Sequence, residues 1–365
     1  MHKKTKMRTK DILTATAVAM AAIVMPACDD DNDGWREITN GNTYTSQDGK
    51  SDGFAKGADV SWLTEMEDNG IKFYAADGTE TECMTLLKSL GVGAIRLRVW
   101  VNPEGAYCGK DDLIKKAVRA KQLGMDLMVD FHYSDTWADP ANQGKPASWT
   151  DLTFEELKKA VADHTTNVIA TLQNVGATPK WVQIGNEVGD GMLWPDGKAS
   201  LSTANFAELV NAGVEAAKAV SPDIKTIVHV QNGWDYTTSE WIMGILKKGD
   251  VDYDIFGVSL YPGTAIEELG STVSATDIVE ITLNNLETLA KMYNKEMMIC
   301  EFGYSVSDPD KGYECLKRIT DAGKKSNSIS GVFYWEPECY DWNGYDKGAF
   351  GEDYKPLHTL DAFAE

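Results

Sequence analysis

The amino-acid sequence predicts a single (β/α)8 barrel, the TIM-barrel fold. Three observations predict it. Short apolar runs alternate with segments of helical period, eight such runs occur after residue 53, and polar or aromatic residues gather where the runs end. A doubly wound sheet is the alternative, but no GxGxxG motif follows the first run. With 365 residues, 43% of them hydrophobic, the chain is long enough to bury the core of such a barrel.

The individual elements follow in chain order from their hydrophobic patterns. The apolar runs predicted as strands cover residues 54–60, 93–100, 125–131, 181–185, 224–230, 254–260, 296–301 and 329–335. The segments predicted as helices cover residues 80–90, 111–124, 153–175, 202–220, 236–248, 273–293 and 310–325. In the segment 111–124, for example, Leu113, Ala117 and Leu123 recur near the helical period.

The residues that end each predicted strand are the candidates for function, because active sites of barrels lie at the C-terminal ends of the strands. The first strand ends in Asp59, the fourth is followed by Asn186 and Glu187, and the seventh ends in Glu301. The polar and aromatic residues at this rim are Asp59, Trp62, Arg96, Arg98, Trp100, Asp130, His132, Asn186, Glu187, His229, Tyr261, Glu301, Trp335 and Glu336.

The first 27 residues have the pattern of a secretion signal, with a basic start and then an apolar run from Ile12 to Ala27. This run has about 16 residues, fewer than the roughly 20 that a membrane-spanning helix needs. Cys28 follows a small residue at the end of the run, as in a bacterial lipoprotein, and is predicted to be the lipidated N-terminus. The acidic run at 29–33 resembles the surface-export signal of Bacteroides-type lipoproteins.

Residues 28–52 are polar and acidic and are predicted to form a tether, followed by one catalytic domain over 53–365. A plain signal peptide with an acidic linker is the alternative. The net charge of −21 argues against nucleic acid or an anionic membrane surface as a partner, and it is compatible with a neutral glycan. Five cysteines follow Cys28, so at least one of them is expected to stay unpaired within the chain.

Two glutamates suggest the chemistry, since Glu187 and Glu301 end the fourth and seventh strands on nearly opposite sides of the barrel mouth. A pair of facing carboxyl groups suits glycoside hydrolysis, because one protonates the leaving oxygen while the other attacks the anomeric carbon. Repulsion raises the pKa of one member, so a single pair supplies both roles. In a retaining enzyme the two carboxyl groups lie about 5–5.5 Å apart. A lone glutamate beside a turn is more often a solvated acid, so the hypothesis depends on the pair.

Other residues of the rim are predicted to support this pair. Asn186 is expected to hydrogen-bond the sugar 2-hydroxyl, a bond that strengthens in the transition state. Arg96 or Arg98 is expected to keep Glu301 ionised, although an ion pair that closes the barrel is the alternative for the arginines. The hydroxyl of Tyr261 is expected to orient Glu301.

Histidines and tryptophans complete the candidate site. His132 and His229 are either site residues or satisfied core histidines, and their spacing predicts no metal site. Indole rings near strand ends suit stacking on the CH face of a sugar, although each ring alone is equally consistent with the core. The tryptophans in such positions are Trp62, Trp100, Trp137, Trp194 and Trp335.

Six segments together resemble glycoside hydrolase family 53, and the resemblance runs from about residue 54 to 340. The segments are GADVSW (57–62), RLRVWVNP (96–103), DFHYSDTWADP (130–140), IGNEVGDGMLWP (184–195), CEFGY (300–304) and FYWEPE (333–338). That family contains arabinogalactan endo-β-1,4-galactanases and belongs to clan A of the retaining (β/α)8 hydrolases. The Asn-Glu pair is common to the clan, whereas RLRVWVNP combined with GNE and GMLWP is more specific.

The resemblance implies that Glu187 is the acid/base and Glu301 the nucleophile of a double displacement on β-1,4-galactan, with no cofactor required. It implies roles around the sugar for Asp59, Arg96, Arg98, Asp130, His132, Asn186, His229, Tyr261 and Trp335, and we add Trp62 and Trp100 as sugar-binding candidates. The loop 339–353 and the sequence CEFGYS depart from the family pattern, so product length is not predicted. Some relatives carry a structural calcium ion, for which Asp308, Asp310 and Glu314 are weak candidates here.

Two alternatives to this function stay open. Another clan A endo-glycanase, a mannanase or an endoglucanase, would use the same carboxyl groups with different sugar platforms. A non-catalytic, glycan-binding surface lipoprotein would fit the acidity and the tryptophan content, but it would not need the second carboxylate. We expect a monomer, exported and anchored to outer-membrane lipid through Cys28 at the cell surface.

Overall fold

A computed structural model describes residues 53–270 and 272–364, and it forms a closed barrel of eight parallel strands. The strands are β1 (Ala55–Asp59), β2 (Ala94–Val99), β3 (Asp126–Phe131), β4 (Trp181–Ile184), β5 (Lys225–Val230), β6 (Ile255–Leu260), β7 (Glu296–Phe302) and β8 (Ile329–Trp335). Each overlaps a run that the sequence predicted as a strand, so the prediction of a TIM barrel is confirmed. The predicted signal, Cys28 and nearly all of the tether lie outside the described residues.

Helices connect the strands and cover the outside of the barrel. They are α1 (Leu63–Asp68), α2 (Cys83–Ser89), α3 (Lys110–Gln122), α4 (Phe154–Asn174), α5 (Thr203–Val220), α6 (Tyr236–Lys248), α7 (Pro262–Leu269), α8 (Ala275–Tyr293), α9 (Pro309–Gly323) and α10 (Asp361–Ala364). Three short helices, α1, α7 and α10, were not predicted. The sequence analysis also missed a hairpin that pairs Gly191–Met192 with Gly197–Lys198 beside the loop after β4.

The strands pair in chain order, and β8 closes the barrel against β1. Pairing between β6 and β7 is regular as far as Val258 with Ile299, and then shifts so that Ser259 lies opposite Glu301. Such irregularities re-aim side chains, and they are common next to active sites. This shift therefore brings the ends of β6 and β7 into the register in which their polar side chains meet.

Away from the C-terminal ends of the strands, the interior of the barrel is filled by side chains, as in other TIM barrels. The buried residues of this layer are Ala55, Ala94, Met128, Trp181, Ile227, Ile255, Met298, Cys300 and Phe333. Large rings fit because small residues face them, and a Cβ at Gly57 would lie only 2.1 Å from the Phe333 ring. The closed apolar layer leaves the C-terminal end of the barrel as the place for a polar site.

The outer helices follow the usual rules of local stability. Helix α4 begins with a capping box, in which the Thr153 side chain accepts from the Glu156 N–H while the Glu156 carboxylate accepts from the Thr153 N–H. Its buried face includes Leu157, Val161 and Val168, which recur at the helical spacing. Among the described residues, no helix combines the length and apolar character needed to cross a membrane.

The cysteines and the calcium candidates can be placed in the fold. All five cysteines after Cys28 are buried free thiols, namely Cys83, Cys108, Cys300, Cys315 and Cys339. Asp308 caps α9 by accepting from the Lys311 N–H, and Glu314 pairs with Lys311 and Arg318. Among the described residues, Asp308, Asp310 and Glu314 do not form a cluster of ligand atoms close enough to hold a metal ion.

Candidate active site

The turn after β4 gives Glu187 an unusual backbone conformation. Glu187 has a left-handed φ of 48°, and Gly185 two residues earlier has a φ of 81°. A Cβ at Gly185 would lie 2.6 Å from Cγ1 of Val188, so both the conformation and the space require glycine there. Strained backbone of this kind is concentrated at functional sites. The turn brings the Glu187 carboxylate to β6, where Oε1 lies 2.7 Å from Oγ of Ser259.

Ser259 links Glu187 to a buried histidine. Its hydroxyl oxygen lies 2.9 Å from Nε2 of His229, which is the penultimate residue of β5. Burial, together with the charge of Arg96, lowers the pKa of His229 well below its ordinary value, so the imidazole is neutral. The sequence analysis missed Ser259, although alternation along β6 with Ile255 places it on the inward face.

Glu187 has the protonation behaviour of an acid catalyst. Burial and, next, the negative charge of Glu301 raise the pKa of Glu187 to about 8. The hydrogen bond from Ser259 and the charge of Arg96 oppose this shift without cancelling it. At neutral pH the Glu187 carboxyl group therefore carries a proton.

Glu301 is the member of the pair that is held as an anion. Arg96 Nη2 lies 2.9 Å from its Oε1, and the Tyr261 hydroxyl donates a hydrogen bond of 2.8 Å to its Oε2. Burial raises the pKa of Glu301, but Arg96 and Tyr261 both favour the charged form. Because Glu187 takes the proton of the pair first, Glu301 is the carboxylate. The prediction that an arginine and Tyr261 support Glu301 matches these contacts.

Arg96 is the centre of the buried charge network. Its Nη1 lies 2.7 Å from Oδ2 of Asp59, and its Nη2 lies 2.9 Å from Oδ2 of Asp130. Gln183 on β4 accepts from the same guanidinium through Oε1 at 3.1 and 3.2 Å. Burial alone would raise the pKa of Asp130, but the charge of Arg96 holds it below its ordinary value. These ion pairs form a buried charge network that holds Arg96 against Glu301.

Asn186 and His132 are held in place by hydrogen bonds to the same buried charge network. The Asn186 carbonyl oxygen accepts from Arg96 Nη2 at 3.0 Å, and its Nδ2 donates to the carbonyl of Ala138 at 2.8 Å. The Trp100 indole N–H and the Ala138 N–H both donate to Nδ1 of His132 at 3.1 Å. The ring proton of His132 is therefore on Nε2, 3.0 Å from Asp130. One N–H of the Asn186 amide is left for a sugar hydroxyl.

Arg98 does not reach the catalytic pair. Its Nη1 lies 2.5 Å from Oε1 of Glu336, which directly follows β8. Its guanidinium carbon lies 4.4 Å from the ring centre of Trp137 and 5.1 Å from that of Trp62, with Trp100 at 5.7 Å. Of the two arginines predicted to keep Glu301 ionised, Arg96 is the one in contact.

Five aromatic side chains lie beside this buried charge network and form an aromatic wall. They are Trp62, Trp100, Trp137, Trp335 and Tyr345. Trp62 contacts Trp137 and Trp335 edge-on, with ring centres 5.7 and 5.1 Å apart, and Tyr345 lies 4.7 Å from Trp335. Four of these rings line a cleft of about 1250 Å³, together with polar and acidic residues such as Asn102, Glu104 and Asp135. The lining of this cleft does not include Glu187 or Glu301, so the cleft lies beside the catalytic pair.

The structure brings the predicted site residues to one end of the barrel, but in two layers. Five of them are at most 1% exposed and lie behind the surface of the site, namely Asp59, Arg96, Arg98, Asp130 and His229. Direct contact between these five and a sugar stays a prediction. The indole N–H of Trp194 donates a hydrogen bond to the carbonyl oxygen of Asp190, and Trp194 does not line the cleft. Besides Ser259, two residues of the site were not predicted. Gln183 could have been found from alternation on β4, whereas the sequence carries no signal for Tyr345.

Comparison with known proteins adds three findings. A family model described as glycosyl hydrolase family 53 matches residues 55–356. An arabinogalactan endo-β-1,4-galactanase of Thermothelomyces thermophilus is 34% identical over 305 residues, which are 77% of this chain and 89% of that protein. Among solved structures, the match to a fungal β-1,4-galactanase (31% identity, TM-score 0.75) covers 85% of this chain and 99% of the galactanase chain. The family 53 catalytic domain of Ignisphaera aggregans (28% identity, TM-score 0.76) covers 87% and 97%.

Proposed function

The chain belongs to glycosyl hydrolase family 53, and we propose on that basis that it is an endo-acting β-1,4-galactanase that cleaves galactan and arabinogalactan side chains of pectin. The single observation that carries the proposal is the different contacts of two glutamates: Glu301 lies 2.9 Å from Arg96 and 2.8 Å from Tyr261, whereas the Glu187 carboxyl group lies against the neutral Ser259 hydroxyl. Glu187 holds a proton, whereas Glu301 is kept ionised by Arg96 and Tyr261. A glycosidase needs one carboxyl group in each state.

The first half of the reaction uses both groups together. The Glu301 carboxylate attacks the anomeric carbon and forms a glycosyl ester, while the bond from that carbon to the leaving oxygen breaks. The Glu187 carboxylic acid gives its proton to that oxygen, so the leaving chain departs as a neutral alcohol. As Glu301 loses its charge in the ester, the repulsion that raised the pKa of Glu187 disappears. Glu187 therefore stays ionised and is available as the general base.

The second half reverses these roles. The Glu187 carboxylate takes a proton from water, the water oxygen attacks the anomeric carbon, and the ester bond to Glu301 breaks. The configuration of the sugar is retained because the carbon has been inverted twice. Ser259 donates a hydrogen bond to the ionised Glu187 at the start of this step. Arg96 stabilises the negative charge that returns to Glu301 when the ester bond breaks.

The cleft gives the substrate class a physical basis. Its volume of about 1250 Å³ exceeds the roughly 300–1,000 Å³ of pockets that hold drug-sized ligands. Aromatic rings along it suit the CH faces of a sugar chain, and the polar residues suit its hydroxyl groups. A neutral oligosaccharide fits such a site better than an anionic polymer, since the chain has a net charge of −21.

The substrate is tested with the purified protein and β-1,4-galactan, following reducing ends and product sizes. Oligomeric galactan products that are lost in Glu187→Gln and Glu301→Gln, but not in the exposed control Glu352→Gln, support the proposal. Cleavage of mannan or cellulose instead of galactan would leave the carboxyl chemistry standing and reject the substrate. Binding without cleavage of any of these glycans would identify a glycan-binding protein.

We also propose that the protein is exported and held at the outer surface of the outer membrane, as a monomer, through lipid on Cys28. The support is the basic and apolar leader, the cysteine after Ala27 and the acidic run behind it. Metabolic labelling with a fatty acid tests the anchor, because the label should be lost in Cys28→Ser. Protease treatment of intact cells tests surface exposure, and light scattering of the detergent-free protein tests the monomer.

A further inference from the structure

A second buried carboxyl group lies close to Glu336 and plays no part in the mechanism above. Glu338 is fully buried. Neither of its carboxyl oxygens receives a hydrogen bond from any N–H or O–H donor among the described residues. A buried carboxylate without donors is costly, so Glu338 needs either a proton or a bound cation.

The neighbour of Glu338 has the donors of an anion, and these oppose the burial that raises the pKa of Glu336 to about 7. Glu336 accepts from Nη1 of Arg98 at 2.5 Å and from the Trp62 N–H at 3.1 Å. One carboxyl oxygen of Glu338, one of Glu336 and the Cys339 thiol sulfur all lie within 4.8 Å of one another. Two buried carboxyl groups this close repel each other if both are ionised, so one of them is expected to carry a proton. Since Glu336 already has its donors, the proton belongs on Glu338.

The surroundings of this pair favour a neutral Glu338. The titratable and charged groups that face the pair are Asp59, Arg98, Cys108 and Tyr345, together with the thiols of Cys83 and Cys339 beside Glu338. Arg98 is the one cation among them, and it is committed to Glu336. Burial and the charge of Glu336 raise the pKa of Glu338 well above its ordinary value. Burial likewise raises the pKa of both thiols well above the ordinary range, so they are neutral.

Arg98 depends on Glu336 for its position. Its Nε and Nη2 have no hydrogen-bond acceptor among the described residues. Its side-chain contacts are therefore the bond to Glu336 and the faces of Trp62, Trp100 and Trp137. These three rings line the cleft. A shift of Glu336 would move the cation that the rings pack against.

We propose that Glu338 is a positioning residue for glycan binding, whose carboxylic acid proton is donated to Glu336 and so holds Arg98 against the three tryptophans of the cleft wall. Ionisation of Glu338 would place a second negative charge beside Glu336 and disturb that arrangement. The affinity for galactan would then fall as the pH rises, independently of the ionisation of Glu187. The part of this inference that concerns galactan rests on the proposed function; the shared proton does not.

The proton is tested directly by infrared spectroscopy. The difference between wild type and Glu338→Gln at neutral pH should contain the C=O stretch of one protonated carboxylic acid. A difference spectrum with only carboxylate bands would overturn the proposal. So would a stoichiometric metal ion in the purified wild-type protein that is lost in Glu338→Gln. Neither outcome depends on galactanase activity, so this arm separates the inference from the proposed function.

The role in binding is tested with two variants of Glu338. Glu338→Gln can donate an amide N–H to Glu336 and should keep KM for galactan within about twofold of wild type, whereas Glu338→Leu should raise KM about tenfold with a smaller change in kcat. As the pH rises above neutral, the KM of wild type should rise more than that of Glu338→Gln, since Glu187 titrates in both proteins. Equal KM values in all three proteins at every pH would overturn the role. If Glu338→Leu does not fold, the pH comparison between wild type and Glu338→Gln still decides.

Discussion

Oε1 of Glu187 lies 2.7 Å from Oγ of Ser259, whereas both oxygens of Glu301 lie within 2.9 Å of Arg96 or Tyr261. The two glutamates thus share one site but have different partners. Glu187 has one neutral hydroxyl group, and Glu301 has a full positive charge and a hydroxyl group. This difference in partners, added to their mutual repulsion, divides the roles of acid and nucleophile between them.

The pH dependence of activity should reveal this division. Glu187 must be protonated to act as an acid, so kcat/KM for galactan should fall as the pH rises through about 8. Glu301 must be ionised, so kcat/KM should also fall on acidification. Because burial raises the pKa of Glu301, this decline should begin at a higher pH than for an ordinary glutamate. Initial rates across pH 4 to 10 measure both limbs, and a rate that stays constant up to pH 10 would contradict the assignment of Glu187.

Ser259→Ala should shift the alkaline limb. The hydroxyl stabilises the charged form of Glu187, so its loss should raise the pKa of Glu187 further and move the limb to higher pH. We expect kcat to fall about tenfold, since a hydrogen bond to a charged group contributes about 1.5–3 kcal/mol. Ser330→Ala is the control, because Ser330 on β8 donates to the carbonyl of Met297 and not to the site. Identical pH profiles for wild type and Ser259→Ala would reject this role.

Gly185→Ala should separate backbone strain from crowding at the turn before Glu187. Its φ of 81° strains any L-residue by about 1–2 kcal/mol, and the new Cβ would also meet Val188 at 2.6 Å. Gly70→Ala is the matched control, since Gly70 has a φ of 85° and no atom within 4 Å of the added Cβ. Urea denaturation should show a larger loss of stability for Gly185→Ala, together with a fall in kcat of at least about tenfold. Equal stability losses and an unchanged kcat would mean that the turn does not position Glu187.

Trp137→Ala should weaken substrate binding more than catalysis. The ring packs against Arg98 at 4.4 Å and lines the cleft, so its removal takes away a sugar platform and a cation–π contact. Contacts of this kind are worth about 1–2 kcal/mol, so KM should rise roughly tenfold while kcat changes less. Trp241→Ala on α6 is the control, since that ring is exposed and does not line the cleft. A fall in kcat with constant KM would place Trp137 in the chemistry instead.

Much of the fold was predictable because the strands are regular and the polar residues follow them. The bounds of β2, β3 and β5 each differ from the predicted runs by only one or two residues. Helices α1 and α7 have six and eight residues and follow their strands almost directly, so they carry too few periodic positions to be recognised.

The partners of the site residues were less predictable than the residues themselves. Alternation along β2 puts Arg96 and Arg98 on one face, but which of them meets Glu301 depends on Glu336, which lies 238 residues after Arg98. Ser259 and Gln183 were available from alternation and were missed because neither type of side chain stands out on a buried strand. Tyr345 comes from a loop whose path no local pattern determines.

Covalent trapping of the reaction intermediate tests the central claim most directly. A 2-deoxy-2-fluoro galactobioside with an activated leaving group should form an ester that hydrolyses slowly, because the fluorine destabilises the transition states of both steps. Mass spectrometry of the digested protein should find the label on the peptide that contains Glu301, and Glu301→Gln should not be labelled. A label on Glu187, or single-displacement hydrolysis of galactan with inversion of the sugar, would contradict the account.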